Sequence, residues 1–208
     1  MLEDGQALVR GVPASAVPLA QLVRASLPTF AAPSAVPPRF EAEAYYHVPT
    51  VTYTNAVHVA RVDVDPGTGL VKLLDYVVAH DCGRVINPMI VEGQIHGGVA
   101  QGIGGALFEE LMFDDQAQLL TGSFLDYAMP RAADVPPIRT VHLESPSPRN
   151  PLGVKGVGEG GAIGPPAAIA NAIEDALASF GIRITETPVT PARMIRLLSR
   201  ASDGSDRG

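Results

Sequence analysis

A chain of 208 residues, 46% of them hydrophobic and 18% charged, carries enough apolar side chain for one sizeable core, which excludes an intrinsically disordered protein. The formal net charge of −7 comes from scattered acidic residues and leaves no basic face for phosphates, and neither a membrane-length apolar run nor a leader pattern is present. A cytoplasmic protein is therefore expected, with no nucleic acid and no membrane as partner, and the single cysteine, Cys82, excludes a disulfide framework or an all-cysteine metal site within this chain.

In chain order, the first predicted element is a short helix from about Pro18 to Leu27, with Leu19, Leu22, Val23 and Leu27 at helical spacing. Residues 31–38, with three prolines, predict an extended connector. Strands are predicted over Phe40 to Tyr46, Val57 to Val64 and Leu70 to Val78, the last two joined into a hairpin by Asp65-Pro66-Gly67-Thr68-Gly69. Asn87 and Pro88 then suit the N-cap and first residue of a helix carrying Val91, Ile95, Val99, Ile103, Leu107 and Leu111 every four residues. Six glycines interrupt that helix. Each costs about 0.5–1 kcal/mol relative to alanine, so close packing against another element or a ligand is expected in return.

After a turn at Asp114 and Asp115 and a proline-punctuated stretch, a strand is predicted from Arg139 to Glu144 and an ordered loop from Ser145 to Glu159. Pro165 and Pro166 open a helix through Ser179, with Ile169, Ile173 and Leu177 inward and Gly181 as its terminator. A strand at Ile182 to Thr187 and a helix from Pro191, capped by Thr190, complete a single α+β domain over 1–201, with 202–208 as a frayed polar tail.

Glycine concentrates in two segments, and both carry chemistry. In Lys155-Gly156-Val157-Gly158-Glu159-Gly160-Gly161-Ala162-Ile163-Gly164-Pro165-Pro166 a carboxylate sits among glycines just before a helix, whose free amides favour negative charge. Such a carboxylate can take a proton from an adjacent water, although a solvated loop residue among turn glycines would read the same way. The other segment is Glu92-Gly93-Gln94-Ile95-His96-Gly97-Gly98-Val99-Ala100-Gln101-Gly102-Ile103-Gly104-Gly105-Ala106-Leu107, preceded by Asp81-Cys82-Gly83-Arg84-Val85-Ile86-Asn87-Pro88. Gln101 has an amide able to donate and accept at once, or is simply a residue of a glycine-rich helix.

Taken together, order and spacing included, these segments resemble the C-terminal portion of the molybdopterin-binding large subunit of the xanthine dehydrogenase, aldehyde oxidase and carbon monoxide dehydrogenase family, from about Phe40 to Leu198 and more weakly back toward Val9. The resemblance implies the C-terminal part of a molybdenum-cofactor-binding domain, in which hairpins and strands pack with the glycine-rich and Pro-Pro-opened helices. It implies Glu159 as catalytic base, Gln101 as a pterin contact, and Lys155, Gly156, Val157 and Gly158 as backbone bordering the molybdenum. The implied reaction oxidises an aldehyde, N-heterocycle or similar small molecule, with water as oxygen source and Glu159 deprotonating a Mo-OH.

The cofactor implied is molybdopterin with molybdenum, read here as the cytosine dinucleotide form. The 2Fe-2S and FAD centres implied have no cysteine pattern or dinucleotide fingerprint in this chain, so they are expected on iron–sulfur and flavin partner subunits. Further pterin contacts and much of the substrate pocket belong to an earlier half of such subunits that is absent here. A partner chain holding that half is expected, and exposed apolar surface to meet it. The alternative is a non-catalytic assembly or remnant fragment that keeps the fold.

Other polar residues compete weakly. His80, Asp81 and Cys82 are adjacent, where an extended chain sends alternate side chains to opposite faces, so Cys82 reads as structural and not as a nucleophile. His47, His58, His96 and His142 lack metal-ligand spacing and read as packing or surface histidines. Arg84 and Asn87 are expected to brace the entry to the long helix.

Overall fold

The computed structural model describes residues 1–26, 43–48 and 50–205, which divide between two units, Met1–His47 and Val48–Gly208. In the first unit, β1 (Leu2–Glu3), β2 (Gln6–Val9) and β3 (Val12–Pro18) form an antiparallel meander followed by α1 (Leu19–Ser26). The first turn is Asp4-Gly5, both at positive φ, the conformation whose twist suits a two-residue hairpin. Helix α1 lies where the sequence predicts it. Residues 31–38 and 40–42 lie outside the described residues, and 43–46, expected to end a strand, have no regular structure.

In the second unit β4 (Asn55–Val64) and β5 (Val71–Asp81) make the predicted hairpin, antiparallel from Val64↔Val71 to Asn55↔Asp81 with one register shift at Arg61/Val62. The Asp65 side chain closes the turn, its Oδ1 accepting the Gly67 amide at 2.9 Å and its Oδ2 the Thr68 hydroxyl at 2.6 Å. The chain crosses through α2 (Pro88–Leu107) to β6 (Ile138–His142), which pairs parallel with β5 and gives the order β4-β5-β6. Parallel neighbours need such a crossover, and a helix supplies it.

Helix α2 starts as its sequence predicts, with the Asn87 side chain accepting the Ile90 amide at 3.4 Å and Pro88 at its first position. It ends four residues earlier than expected. The Phe108 and Glu109 amides both bond the Gly104 carbonyl at 2.8 Å, and the Glu109 carboxylate folds over Gly104, lying 2.7–2.9 Å from where a Cβ would be. Leu111 is thereby released from the helix and is 62% exposed.

Helix α3 (Pro165–Ala176) is followed by a 3-10 turn, Ala178–Phe180, and by Gly181 in the left-handed conformation, as its sequence implies. The strand expected over Ile182 to Thr187 does not form, because the Ile184 amide bonds the Glu174 carboxylate of α3 at 2.6 Å instead of a neighbouring strand. Thr190 caps α4 (Pro191–Ser205) through the Arg193 amide, and the helix runs into the segment expected to fray. The core lies between the sheet and these helices, where Tyr76, Ile95, Ile103, Ile169, Ile173 and Met194 have no exposure. By contrast, the long connection from α2 to β6 carries bare apolar side chains, Phe124 and Leu125 among them at 90% and 93% exposure.

Among the described residues, no helix is long and apolar enough to cross a membrane.

Candidate functional site

The loop carrying Glu159 is pinned at its start by main-chain bonds that residue identity alone does not announce. The Lys155 amide bonds the Cys82 carbonyl at 2.7 Å and the Gly156 amide the Thr52 carbonyl at 3.0 Å, while Gly83 and Val154 form an antiparallel bridge. Gly83 has φ +70°, and a Cβ on it would strike the Gly153 carbonyl oxygen, so glycine is required twice over.

Asp81 gathers this region. Its Oδ1 accepts the Gly83 amide at 2.8 Å and the Ser145 amide at 3.2 Å, and its Oδ2 pairs with the Lys155 ammonium at 3.1 Å, both side chains being 13% exposed. Burial alone would raise the Asp81 carboxyl, but the Gly83 amide, the Lys155 ammonium and the Ser145 amide together hold it below the usual carboxylate range. The Lys155 side chain is thus committed to a structural ion pair, which leaves its main chain to border a site. Cys82 is buried, and desolvation pushes its thiol up, which suits a packing residue and not a nucleophile.

Further along, the Glu159 carbonyl accepts the Ala162 amide at 2.9 Å and the Ile163 amide at 3.3 Å, folding the loop into a turn. The glycines of α2 receive that turn. A Cβ on Gly98 would lie 2.8 Å from the Ala162 nitrogen, one on Gly102 would lie 2.7 Å from the Pro165 ring, and one on Gly161 would overlap the Ile95 carbonyl oxygen. Close packing against another element, the return expected for those glycines, is therefore present. At the start of α3, however, Pro165 and Pro166 have no N–H, so this helix terminus presents fewer free amides to an anion than its position suggests.

Beneath the loop lie His58 and His142, which the sequence reads as packing or surface residues, His80, which it weighs only beside Cys82, and Tyr76, which it does not single out. Strand alternation and register put His58, Tyr76, His80 and His142 on the buried face of the sheet. His58 Nε2 lies 3.2 Å from the Gly160 carbonyl oxygen, which can only accept, so Nε2 carries the proton and Nδ1 accepts the Tyr76 hydroxyl at 3.0 Å. The Thr54 hydroxyl donates to the Asp81 carbonyl at 2.9 Å and therefore accepts from His80 Nε2 at 2.8 Å, leaving the buried His80 Nδ1 without a partner among the described residues.

Burial holds both imidazoles below their ordinary range, offset in part by the Gly160 carbonyl for His58, and reinforced by His142 and offset by Asp81 for His80. Because the unfolded chain takes up these protons near about pH 6.5 and the folded chain only at lower pH, stability is full above that value and declines below it. The urea midpoint of the purified protein is expected to fall between about pH 7.5 and about pH 5.5, and His80→Gln is expected to flatten the fall. An unchanged slope in that variant would assign the decline to other groups.

Glu159 itself is exposed and lines a cleft of about 290 Å³ together with Thr52, Tyr53, Thr54 and Ile163. Gly156 and Gly158 are exposed in the same wall, whereas Val157 packs against the core. The Gln94 side chain of α2 comes within 3.8 Å of where a Gly158 Cβ would be. Gln101, the glutamine singled out by sequence, is exposed on the same helical face seven residues on, about 10 Å along the axis. Among the described residues, a Cβ on Gly97 or Gly105 would meet nothing within 4 Å, so α2 presents a strip of bare backbone at these two positions, with Gln101 between them and Gln94 one turn before Gly97.

Residues 1–136 match the family model of the molybdopterin cofactor-binding domain. The nicotine 6-hydroxylase large subunit of Paenarthrobacter nicotinovorans is 43% identical over 197 residues, covering 94% of this chain and 24% of that protein. Quinoline 2-oxidoreductase from Pseudomonas putida 86 superposes with a TM-score of 0.84 at 44% identity, over 96% of this chain and 25% of that one. The Cu,Mo-CO dehydrogenase in its carbon monoxide reduced state gives 0.85 at 32% identity, over 97% and 25%. The chain therefore spans about a quarter of the length of the relatives it matches. The family model takes in the glycine-rich helix, the relatives extend over nearly the whole chain, and on this footing the chain belongs to the molybdopterin cofactor-binding domain family.

Proposed function

We propose that this chain forms one part of a cytoplasmic molybdenum hydroxylase that oxidises an aldehyde, an N-heterocycle or a similar small molecule with water as oxygen source, and that Glu159 is its base. The observation that carries the reading is the placement of Glu159, exposed in a cleft on a loop pinned on one side to Thr52, Asp81 and Cys82 and packed on the other against α2.

The residues present fit a pterin. A flat ring that must approach the main chain suits the bare strip at Gly97 and Gly105, and Gln101 and Gln94 supply amides that can donate to and accept from its edge. The main chain of Lys155, Gly156, Val157 and Gly158 would border the metal end, with the cytosine dinucleotide as the form of the cofactor. Bound there, the group would supply two-electron oxidation. The protein's own contribution is a fixed carboxylate that takes a proton from the water-derived oxygen, and a cleft wall of Tyr53 and Ile163 that gives a planar substrate an apolar surface. In this reading 2Fe-2S and FAD reside on partner subunits, and the rest of a molybdenum subunit completes the site. The apolar side chains left bare between α2 and β6 support such a partner.

The test is to purify the protein containing this chain from its host, measure molybdenum by elemental mass spectrometry, and oxidise aldehydes and heterocycles in isotopically labelled water. Stoichiometric molybdenum with label in the product is the expected result. A product labelled only from dioxygen, or turnover without molybdenum, would overturn the reading.

A further inference from the structure

The peptide that follows Glu159 is the most permissive the chain could have, Gly160-Gly161, and the structure shows why no other residues fit. A Cβ on Gly160 would lie 2.5 Å from His80 Nε2, and one on Gly161 would overlap the Ile95 carbonyl. Space forces two glycines into the place where the direction of the Glu159 side chain is decided, and glycine pairs have little backbone preference of their own. The turn bonds from the Ala162 and Ile163 amides close over this pair from within the loop, and a contact from outside it adds a further restraint.

His58 supplies that outside contact. Its Nε2–H holds the Gly160 carbonyl, its Nδ1 is held in turn by the hydroxyl of the fully buried Tyr76, and its ring lies so close to Gly164 that a Cβ there would overlap it. Tyr76 has no exposure, so its hydroxyl has no water to turn to and its bond to His58 keeps one direction. The chain from Tyr76 to His58 to Gly160 thus runs from the core to the residue beside the carboxylate.

From these contacts we propose that His58 is a positioning residue, which through the Gly160 carbonyl selects the one Gly160-Gly161 conformation that directs Glu159 into the cleft. The inference rests on the reading of Glu159 as base.

The test compares His58→Phe, His58→Gln, Tyr76→Phe and Glu159→Gln in the complete enzyme, by steady-state kinetics and by hydrogen exchange of segment 157–164. In His58→Phe, kcat is expected to fall about tenfold to a hundredfold with KM little changed, the size of effect that misplacing a reacting group produces. The Ala162 and Ile163 amides, which bond the Glu159 carbonyl, should exchange faster. The Gln variant, whose amide nitrogen can reach the place of Nε2, should recover most of kcat and protection, a rescue that loss of fold would not allow. Tyr76→Phe keeps the ring and removes only the hydroxyl, and should show a smaller loss in the same direction. Unchanged kcat and exchange in both His58→Phe and Tyr76→Phe, while Glu159→Gln abolishes turnover, would overturn the positioning role and leave the base intact. Full turnover in Glu159→Gln would instead overturn the base reading, and the positioning role with it.

Discussion

Glu159→Gln is expected to lower kcat by about 10²–10⁴-fold, the range over which a positioned general base acts, with molybdenum content and fold unchanged. The substitution is nearly isosteric and removes only the proton acceptor. Among the described residues the bonds that shape the turn, from the Ala162 and Ile163 amides, go to the main-chain carbonyl of Glu159 and not to its side chain. An exposed residue without structural bonds changes stability by no more than about 0.5 kcal/mol, so the unfolding midpoint serves as the control. Wild-type turnover in a correctly loaded Gln variant would remove Glu159 from the mechanism. A proportional loss of molybdenum and activity would instead assign it to cofactor retention.

Asp81→Ala is expected to be the most damaging single change to the framework. It would leave the Lys155 ammonium, 13% exposed, without its counter-ion and the Gly83 and Ser145 amides without an acceptor. Removing one partner of a largely buried pair costs about 3–5 kcal/mol, far above the value of an exposed ion pair. Lys155→Met should cost less, because the carboxylate keeps two main-chain donors. With the Asp81 carboxyl held below its ordinary range, the stability it contributes is present above about pH 4 and lost as pH falls through the lower folded value. Urea unfolding of the two variants checks the order. A loss below about 1 kcal/mol for Asp81→Ala would mean that the pair is hydrated in solution.

The parts of the fold legible in the sequence are those whose signal is local. Alternation around Asp65-Pro66-Gly67-Thr68-Gly69 marks the β4–β5 hairpin, and Asn87-Pro88 with apolar residues every four positions marks α2. The meander of the first unit goes unread although Asp4-Gly5 announces its first turn, because strands of two and four residues are too short to show alternation. Ile182 to Thr187 reads as a strand by composition, and a single side-chain bond from Glu174 decides otherwise. At the site, glycine on both sides of Glu159 makes its exposure readable. The clamp beneath is not, since a histidine on one face of a strand has the pattern of any packing residue and its partner Gly160 lies 102 positions away. Lys155 is similar, its pairing with Asp81 spanning 74 positions.

Those separations bear on when the site comes into being. Thr52 to Val154, His58 to Gly160 and Asp81 to Lys155 each close a long stretch of chain, and such closures are entropically costly and slow to form. A ribosome that has released β4 and β5 has made only half of every one of these contacts. The loop around Glu159 gains these contacts only when residues 154–160 have followed, so on the proposed reading a chain released only as far as β5 offers the cofactor no complete site. On the proposed reading, insertion is then a step for a finished fold, in which α2, the pinned loop and the sheet beneath it have already met.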